Sequence, residues 1–162
     1  MIDILFEQRI IQNPVLAAEC LWHSVHEAHE AFGRADGVSF PLIFIVLPLV
    51  FHKQTAKCLA GKTQPGALYK ALADDREIPI GLQSRMQSMA DRTLQGLSLA
   101  FDSMLIYADS NPDKHLVPGR KTPPVIHMSE EVKTILNAAK RVGQAFAEMS
   151  PVQLSTHLKI QF

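Results

Sequence analysis

The sequence predicts a mainly α-helical fold, a compact helical domain with one β-hairpin, in which residues 1–162 form a single domain. A capping residue followed by proline, a pair that starts helices, occurs at Asn13-Pro14 and again at Ser150-Pro151. Apolar residues recur at helical spacing in several segments. One segment, 103–118, combines β-branched and aromatic residues with a turn cluster. A chain of 162 residues is long enough to bury a continuous core without a metal or a disulfide.

Four helices are predicted before the hairpin. They cover 14–32, 41–60, 64–75 and 82–101. Asn13 caps the first helix, and a loop at 33–39 separates it from the second. The second helix contains Pro48, which is expected either to kink it or to move its true start, and it ends with Gly61 as its cap. The fourth helix has an apolar face formed by Leu82, Met86, Met89, Leu94 and Leu97.

The second predicted helix contains the most apolar segment of the chain, "FPLIFIVLPLVF", from Phe40 to Phe51. This segment has about a dozen residues, whereas a helix needs ~20 apolar residues to span a bilayer. We therefore predict that it forms the centre of the core and that the protein has no membrane contact. The N-terminus carries Asp3 and Glu7 before its first base, Arg9, unlike a secretory signal, so a cytoplasmic location is expected.

The hairpin and the C-terminal helices follow. The run "SMLIYAD", the turn cluster "SNPDKH" and the run "LVPG" predict the hairpin at about 103–118. Two C-terminal helices are predicted within about 129–158, the first capped by Ser129 and the second by Ser150. Helices followed by a hairpin are also the order of a winged helix-turn-helix. The sequence leaves open whether the hairpin is such a wing or a packed hairpin of another helical fold.

The first long helix contains three histidines at intervals of three, His23, His26 and His29. At about 100° per residue they fan over roughly 120° of the helix, a poor arrangement for a shared metal. The helix lacks the HExxH pattern of zinc proteases and the Glu-x-x-His pattern of di-iron proteins. The i, i+4 pairs from Glu19 to His23 and from His23 to Glu27 are typical of a solvated helix face, so no metal site is predicted. His29 falls in the apolar stripe and is predicted to be a core or interface histidine.

Other chemical motifs are also missing from the sequence. The "GKT" at 61–63 lacks the first glycine of a phosphate loop, and neither a GxSxG nor a dinucleotide-binding pattern occurs. Lys plus Arg and Asp plus Glu each number 16, so no overall field attracts nucleic acid or an anionic membrane. Cys20 and Cys58 have no CxxC partner and are predicted to be buried thiols. The chain is therefore predicted to be non-enzymatic, with no catalytic residues, no metal and no cofactor.

Two sets of surface contacts are predicted. Lys114, Arg120 and Lys121 would form a basic hairpin tip that binds nucleic acid weakly and with strong salt sensitivity. The apolar segments near the two ends of the chain, "IDILFEQRII" and "LKIQF", are unusual because terminal segments are generally polar. They pack either on their own domain or on a partner protein, where a phenylalanine would serve as an aromatic anchor. The candidate partner contacts are Phe6, Leu158, Ile160 and Phe162.

Three segments resemble a known family: "IIQNPVLAAECLWHSV", "LIFIVLPLVFHKQTAKCL" and "ILNAAKRVGQAFAEMSPVQLSTHLKI". They are similar to the middle component of bacterial three-component ABC ATPase systems. Members carry an Asn-Pro helix start, an LPL-x-x-HK core helix, a G-x-x-F/W-A helix and a Leu-Gly-Val-like end, in this order. In this chain Phe146 stands where tryptophan is common, and Lys159 stands where the terminal pattern has glycine.

The resemblance implies a non-enzymatic adaptor that links an SMC- or Rad50-like ABC ATPase to an effector such as a nuclease, in systems directed against phage and other mobile elements. It implies no catalytic residues. The alternative function is that of a winged-helix DNA-binding transcriptional regulator, and an enzyme that uses the histidine helix is a third hypothesis. Salt dependence separates the first two, because affinity that rests on phosphate contacts falls steeply with salt.

Overall fold

The computed structural model describes residues 2–63, 65–124 and 128–162, and the side chains of Ile2, Asp3, Phe6 and Glu7 lie outside this description. The described ranges contain nine α-helices, one 3₁₀ helix and a two-stranded antiparallel hairpin, which confirms the mainly α-helical prediction. The helices are α1 (Ile2–Ile11), α2 (Pro14–Ala31), α3 (Val46–Val50), α4 (Lys53–Ala60), α5 (Ala67–Asp74), α6 (Leu82–Ser88), α7 (Ala90–Asp102), α8 (Glu130–Glu148) and α9 (Pro151–Leu158). The 3₁₀ helix is Phe40–Ile45, and the strands are β1 (Ile106–Ala108) and β2 (Leu116–Pro118).

Helix α2 lies at the centre of the fold, packed against α7 and α8. Glycines permit both contacts. A Cβ on Gly143 of α8 would lie 2.2 Å from the carbonyl oxygen of Ser24, and a Cβ on Gly96 of α7 would lie 2.9 Å from the Cβ of Ala17. The buried hydroxyl of Ser24 donates to the carbonyl of Ala139 at 2.8 Å. The helices therefore approach each other at a backbone distance that only residues without a side chain allow.

The apolar segment lies in the core, as predicted, but it is not one helix. Its buried residues are Leu42, Ile43, Ile45, Val46, Leu47, Pro48, Leu49 and Val50. The 3₁₀ helix leads into α3, and the chain then bends by 102° before α4. Of the two effects predicted for Pro48, the kink is absent but the start of the helix is moved: α3 begins at Val46, and Pro48 lies in its first turn, where a missing N–H breaks no intrahelical hydrogen bond. The bend occurs at His52, whose φ of −92° and ψ of 110° are extended.

In the described part of the chain, each helix taken singly is too short or too polar to cross a membrane. The segment Phe40–Val50 joined to Lys53–Ala60 has sufficient length and apolar composition, but the 102° bend separates its two halves. The buried segment of the core described above belongs to the first half of this pair, Phe40–Val50.

The predicted fourth helix, 82–101, is two helices, α6 and α7, which meet at Met89. Met89 has a φ of −101° and a ψ of 4°, so the chain turns there and the apolar face changes phase. The predicted apolar residues that are buried are Leu82, Met86 and Leu97. Leu94 is 47% exposed, so the prediction is wrong at that position. Relative to the predicted face, the buried face of α7 is rotated so that it contains Gly96, which contacts α2.

The hairpin is present as predicted. Strands β1 and β2 pair antiparallel, with Ile106 opposite Pro118 and Ala108 opposite Leu116. Val38, in the loop that follows α2, forms a bridge to Leu116 on the other edge of β2 through two N–H···O bonds of 2.8 Å. Strand β2 is therefore held between β1 and the loop, and it also contacts α2.

Both predicted C-terminal helices are present, and their N-termini are capped as predicted. The Ser129 hydroxyl accepts a hydrogen bond from the backbone N–H of Val132 at 3.3 Å. Ser150 and Gln153 form a reciprocal capping box with bonds of 3.2 and 2.9 Å. Helix α9 ends at Lys159, whose φ of 54° and ψ of 47° are left-handed. Glycine, which the terminal pattern of the resembled family has at this position, adopts that conformation without strain.

Lys159→Gly is expected to stabilise the protein by about 0.5–1 kcal/mol. A left-handed conformation costs an L-residue roughly 1–2 kcal/mol, and the greater freedom of glycine in the unfolded chain offsets part of the gain. Urea denaturation monitored by circular dichroism measures the difference. Lys159→Ala is the matched control, because it removes the same side chain but keeps the Cβ, and it should give no stabilisation. Equal free energies of unfolding for Lys159→Gly and Lys159→Ala would contradict this account.

Candidate partner-binding surfaces

The segment after α9 is fixed to the domain by four hydrogen bonds. The N–H of Ile160 donates to the carbonyl of Ser155 at 3.1 Å, and the Ser155 hydroxyl donates to the carbonyl of Ile160 at 2.5 Å. The side-chain amide of Gln83 on α6 then pairs with the backbone of Gln161, accepting from its N–H at 2.8 Å and donating to its carbonyl at 3.3 Å. Phe162 follows directly and is 53% exposed. An exposed aromatic ring is thus attached to a backbone that is held in place.

The predicted C-terminal contact residues have different environments. Leu158 and Ile160 are buried in the core of this chain, the arrangement that the sequence left as the alternative to a partner contact. Of the three, Phe162 is the one that a partner can reach. Phe6 lies on α1, and its side chain is outside the described residues.

A groove of about 850 Å³ lies between α1, α4 and the start of α8. Buried apolar residues line it, among them Ile10, Val50 and Ile135. The sequence does not predict this groove, because its N-terminal part is recognisable only as an apolar terminal segment and not as a helix. The heptad-like spacing of Ile4 and Ile11, together with Ile10, is the signal that could have indicated a helix there.

The rim of the groove carries charges of both signs. Helix α4 contributes Lys53 and Lys57, and the first turn of α8 contributes Glu130 and Glu131. Helix α1 in addition exposes Ile4 to solvent. An apolar floor between a basic and an acidic wall is suited to an amphipathic segment of a partner protein.

The histidine helix is less solvated than predicted. Glu19 is buried with only 5% of its surface exposed, and His23 is half-buried beside α8, so the prediction of a solvated face is wrong for these residues. The ring of His26 stacks on Trp22 at a centroid distance of 4.7 Å. His29 Nδ1 lies 2.7 Å from the carbonyl oxygen of Asp36, the single hydrogen bond expected of an interface histidine. The three histidines thus have separate environments.

Acid is expected to destabilise the wild type more than His23→Gln. Burial, followed by the charges of Lys140 and His26, lowers the pKa of His23 from 6.5 to about 4. The unfolded chain binds this proton near pH 6.5 and the folded chain only near pH 4, so the free energy of unfolding falls as the pH falls through that window. Burial also lowers the pKa of His52, so protonation of His52 likewise reduces the free energy of unfolding as the pH falls. The melting temperature, measured at about pH 7.5, 6 and 5, should therefore fall less with decreasing pH in His23→Gln than in the wild type. An equal fall in the two proteins would contradict the prediction.

Three groups that could ligate a metal, Asp36, Asp109 and His115, have ligand atoms within 4.8 Å of one another. His115 Nδ1 lies 2.6 Å from Asp36 Oδ1, and Asp109 Oδ1 accepts the N–H groups of Asn111 and His115 at 3.1 Å each. The hydrogen bonds from His115 and from the N–H of Gly37 hold the pKa of the Asp36 carboxyl below its usual range. These bonds join the hairpin loop to the loop after α2. The cluster cannot be predicted from sequence spacing, because Asp36 and His115 are 79 residues apart.

The three predicted nucleic-acid contacts are exposed but do not form one tip. Lys114 lies in the loop that connects β1 to β2, whereas Arg120 and Lys121 follow β2 at the opposite end of the hairpin. The connecting loop also contains Asp109 and Asp113, which offset the charge of Lys114. The prediction of a basic hairpin tip is therefore wrong, since the register of the hairpin separates the bases.

The two cysteines are free thiols. Cys20 is buried as predicted, whereas Cys58 is only partly buried. Burial raises the pKa of both thiols, which keeps them protonated at neutral pH.

Comparison with known proteins identifies the family. The model of the family described as ABC-three component (ABC-3C) system Middle Component 3, MC3, matches residues 1–162. No curated protein and no solved structure matches the chain. Because the family match covers the chain from Met1 to Phe162, the protein belongs to the Middle Component 3 family of ABC-three component systems.

Proposed function

We propose that the chain is a non-enzymatic, cytoplasmic adaptor that links an SMC/Rad50-like ABC ATPase to an effector, such as a nuclease, in a bacterial system directed against phage or mobile elements. The observation that carries the proposal is the family match over residues 1–162, since a middle component of a three-component system works with other components. An adaptor needs two separate contact surfaces, and the fold offers two.

The first surface is centred on Phe162. Aromatic residues dominate the binding energy of many interfaces, and an anchor that is already ordered loses less entropy on binding. The four hydrogen bonds that hold Ile160 and Gln161 provide this order. We assign this surface to the ATPase.

The second surface is the groove between α1, α4 and α8. It shares no helix with the first surface, which is formed by α6 and the segment after α9. The opposed charges of Lys57 and Glu131 favour one orientation of an amphipathic segment over the reverse. We assign this surface to the effector.

Co-expression with an SMC-like ABC ATPase of the same three-component system tests the proposal. The two proteins are expected to co-elute in size-exclusion chromatography at micromolar concentration with ATP, and Phe162→Asp should release the ATPase while circular dichroism stays unchanged. Phe101→Asp is the matched control, since Phe101 is also exposed but lies on α7. Deletion of 158–162 is unsuitable, because it removes the core residues Leu158 and Ile160. Separate elution of the wild-type proteins would remove the main support for the adaptor.

The alternative is the winged-helix DNA-binding regulator, which the exposed bases Lys114, Arg120 and Lys121 near the hairpin favour. For an adaptor we expect weak DNA binding that disappears at high salt and in the double variant Arg120→Glu with Lys121→Glu. Tight binding that survives both changes would favour the regulator and a different DNA-binding surface.

A further inference from the structure

A second, open cavity of about 520 Å³ lies between α2 and α8, and Pro123 and Met128 also line it. Helix α2 contributes Glu19, Trp22 and His23 to its wall. Helix α8 contributes Lys133, Leu136, Asn137 and Lys140. The volume is within the range of about 300–1,000 Å³ that is usual for small-molecule sites.

Two residues of α2 that line this cavity carry polar groups without a partner in the described part of the chain. The carboxyl of Glu19, whose residue is 5% exposed, forms no hydrogen bond or ion pair with any described residue. The indole Nε1–H of Trp22, a residue 7% exposed, is buried and has no acceptor in the described part of the chain. A buried N–H left unpaired like that of Trp22 costs about 1–3 kcal/mol, and native proteins pair roughly 90% or more of such groups.

The cavity also separates two opposite charges. The half-buried Lys140 has no hydrogen bond or ion pair with any described residue, and its ammonium is more than 4.0 Å from the Glu19 carboxylate, the limit for an ion pair. Lys133, by contrast, is bonded to Glu130 at 2.7 Å. A molecule in the cavity would therefore meet the Glu19 carboxyl at one place and the Lys140 ammonium at another.

The remaining wall is apolar. The ring of Trp22 and the side chains of Leu136 and Met128 supply it. A ligand that satisfies all of these groups carries a cation, an anion and an apolar side group on a small frame. We infer that the α2–α8 cavity binds a small zwitterion of the amino-acid class, with its ammonium on Glu19, its carboxylate on Lys140, and its side chain against Leu136 and the ring of Trp22.

The protein contains its own reporter of this site, because Trp22 is the single tryptophan of the chain. Titration of the purified chain with each common L-amino acid should give, for at least one apolar amino acid, a saturable change in tryptophan emission together with heat in calorimetry. Glu19→Gln and Lys140→Met should each weaken that binding at least tenfold. The matched control is Glu27→Gln, which alters a carboxyl on the same helix that is bonded to Gln144; it should change the affinity less than threefold.

Two derivatives of the same amino acid test the assignment of each end. The N-acetyl derivative, which lacks the ammonium, should bind weakly to the wild type and equally weakly to Glu19→Gln. The amide, which lacks the carboxylate, should likewise be insensitive to Lys140→Met. The inference is overturned if no amino acid changes the emission or releases heat at millimolar concentration. It is also overturned if inorganic phosphate binds as tightly as the amino acid, or if both Glu19→Gln and Lys140→Met bind as the wild type does.

Discussion

Gly143→Ala is expected to lower the free energy of unfolding by about 1–3 kcal/mol, or to prevent folding at physiological temperature. The added methyl group would lie 2.2 Å from the carbonyl oxygen of Ser24 and 2.8 Å from its Cα. These are backbone atoms of a buried helix, so the clash cannot be relieved by a side-chain rotation. Helices α2 and α8 must separate, which also lengthens the hydrogen bond from Ser24 to Ala139.

Gly61→Ala is the control for this variant. Gly61 has a φ of −71°, which alanine adopts readily, and its added Cβ would meet nothing closer than 3.4 Å. We expect its effect to stay within about 0.5 kcal/mol, as for other surface substitutions. Urea denaturation followed through Trp22 emission measures both variants. Similar stabilities for Gly143→Ala and the wild type would show that α2 and α8 do not approach as closely as described.

Leu49→Ala and Ile45→Ala should each destabilise the protein by about 2–5 kcal/mol. Both side chains are completely buried within the segment that joins the 3₁₀ helix to α3. Truncation leaves a cavity whose neighbours belong to several helices, so the surroundings collapse only partly. A loss of this size is a large share of the total stability of a domain of this length.

Leu94→Ala is the matched control for the core variants, because the same chemical change is made at a residue that is 47% exposed. Its effect should remain within about 0.5 kcal/mol. Melting temperatures that are unchanged in both core variants would place the apolar segment at the surface. A loss in Leu94→Ala as large as that in Leu49→Ala would contradict the described phase of α7.

The features that the sequence predicted well depend on neighbouring residues. Asn13 accepts the N–H groups of Val15 and Leu16 at 3.0 and 3.3 Å, as its position before a proline indicates. The caps at Ser129 and Ser150 and the turn of the hairpin are equally local. Such signals lie within four residues of the structure that they specify, so one sequence is enough to find them.

The features that the sequence did not predict depend on distant contacts. The bend at His52 and the turn at Met89 interrupt patterns whose apolar spacing continues without a break, so periodicity alone assigns one helix in each case. The sequence predicts a solvated Glu19 because its i+4 neighbour is polar, whereas the packing of α8 buries the residue. The groove and the α2–α8 cavity could not be predicted either, because each is formed by segments that are far apart in the chain.

The pairing of α2 with α8 has a consequence for synthesis on the ribosome. Ser24 and its acceptor Ala139 are separated by 115 residues, and the bond between Glu27 and Gln144 spans 117. At 5–20 residues per second, translation of that interval takes about 6–23 s. During this time the apolar surface of α2 has no α8 to cover it, and nascent chains with such exposed surface are the ones that chaperones bind. Yield in cells should therefore depend on trigger-factor-type chaperones more strongly than the stability of the finished protein would suggest.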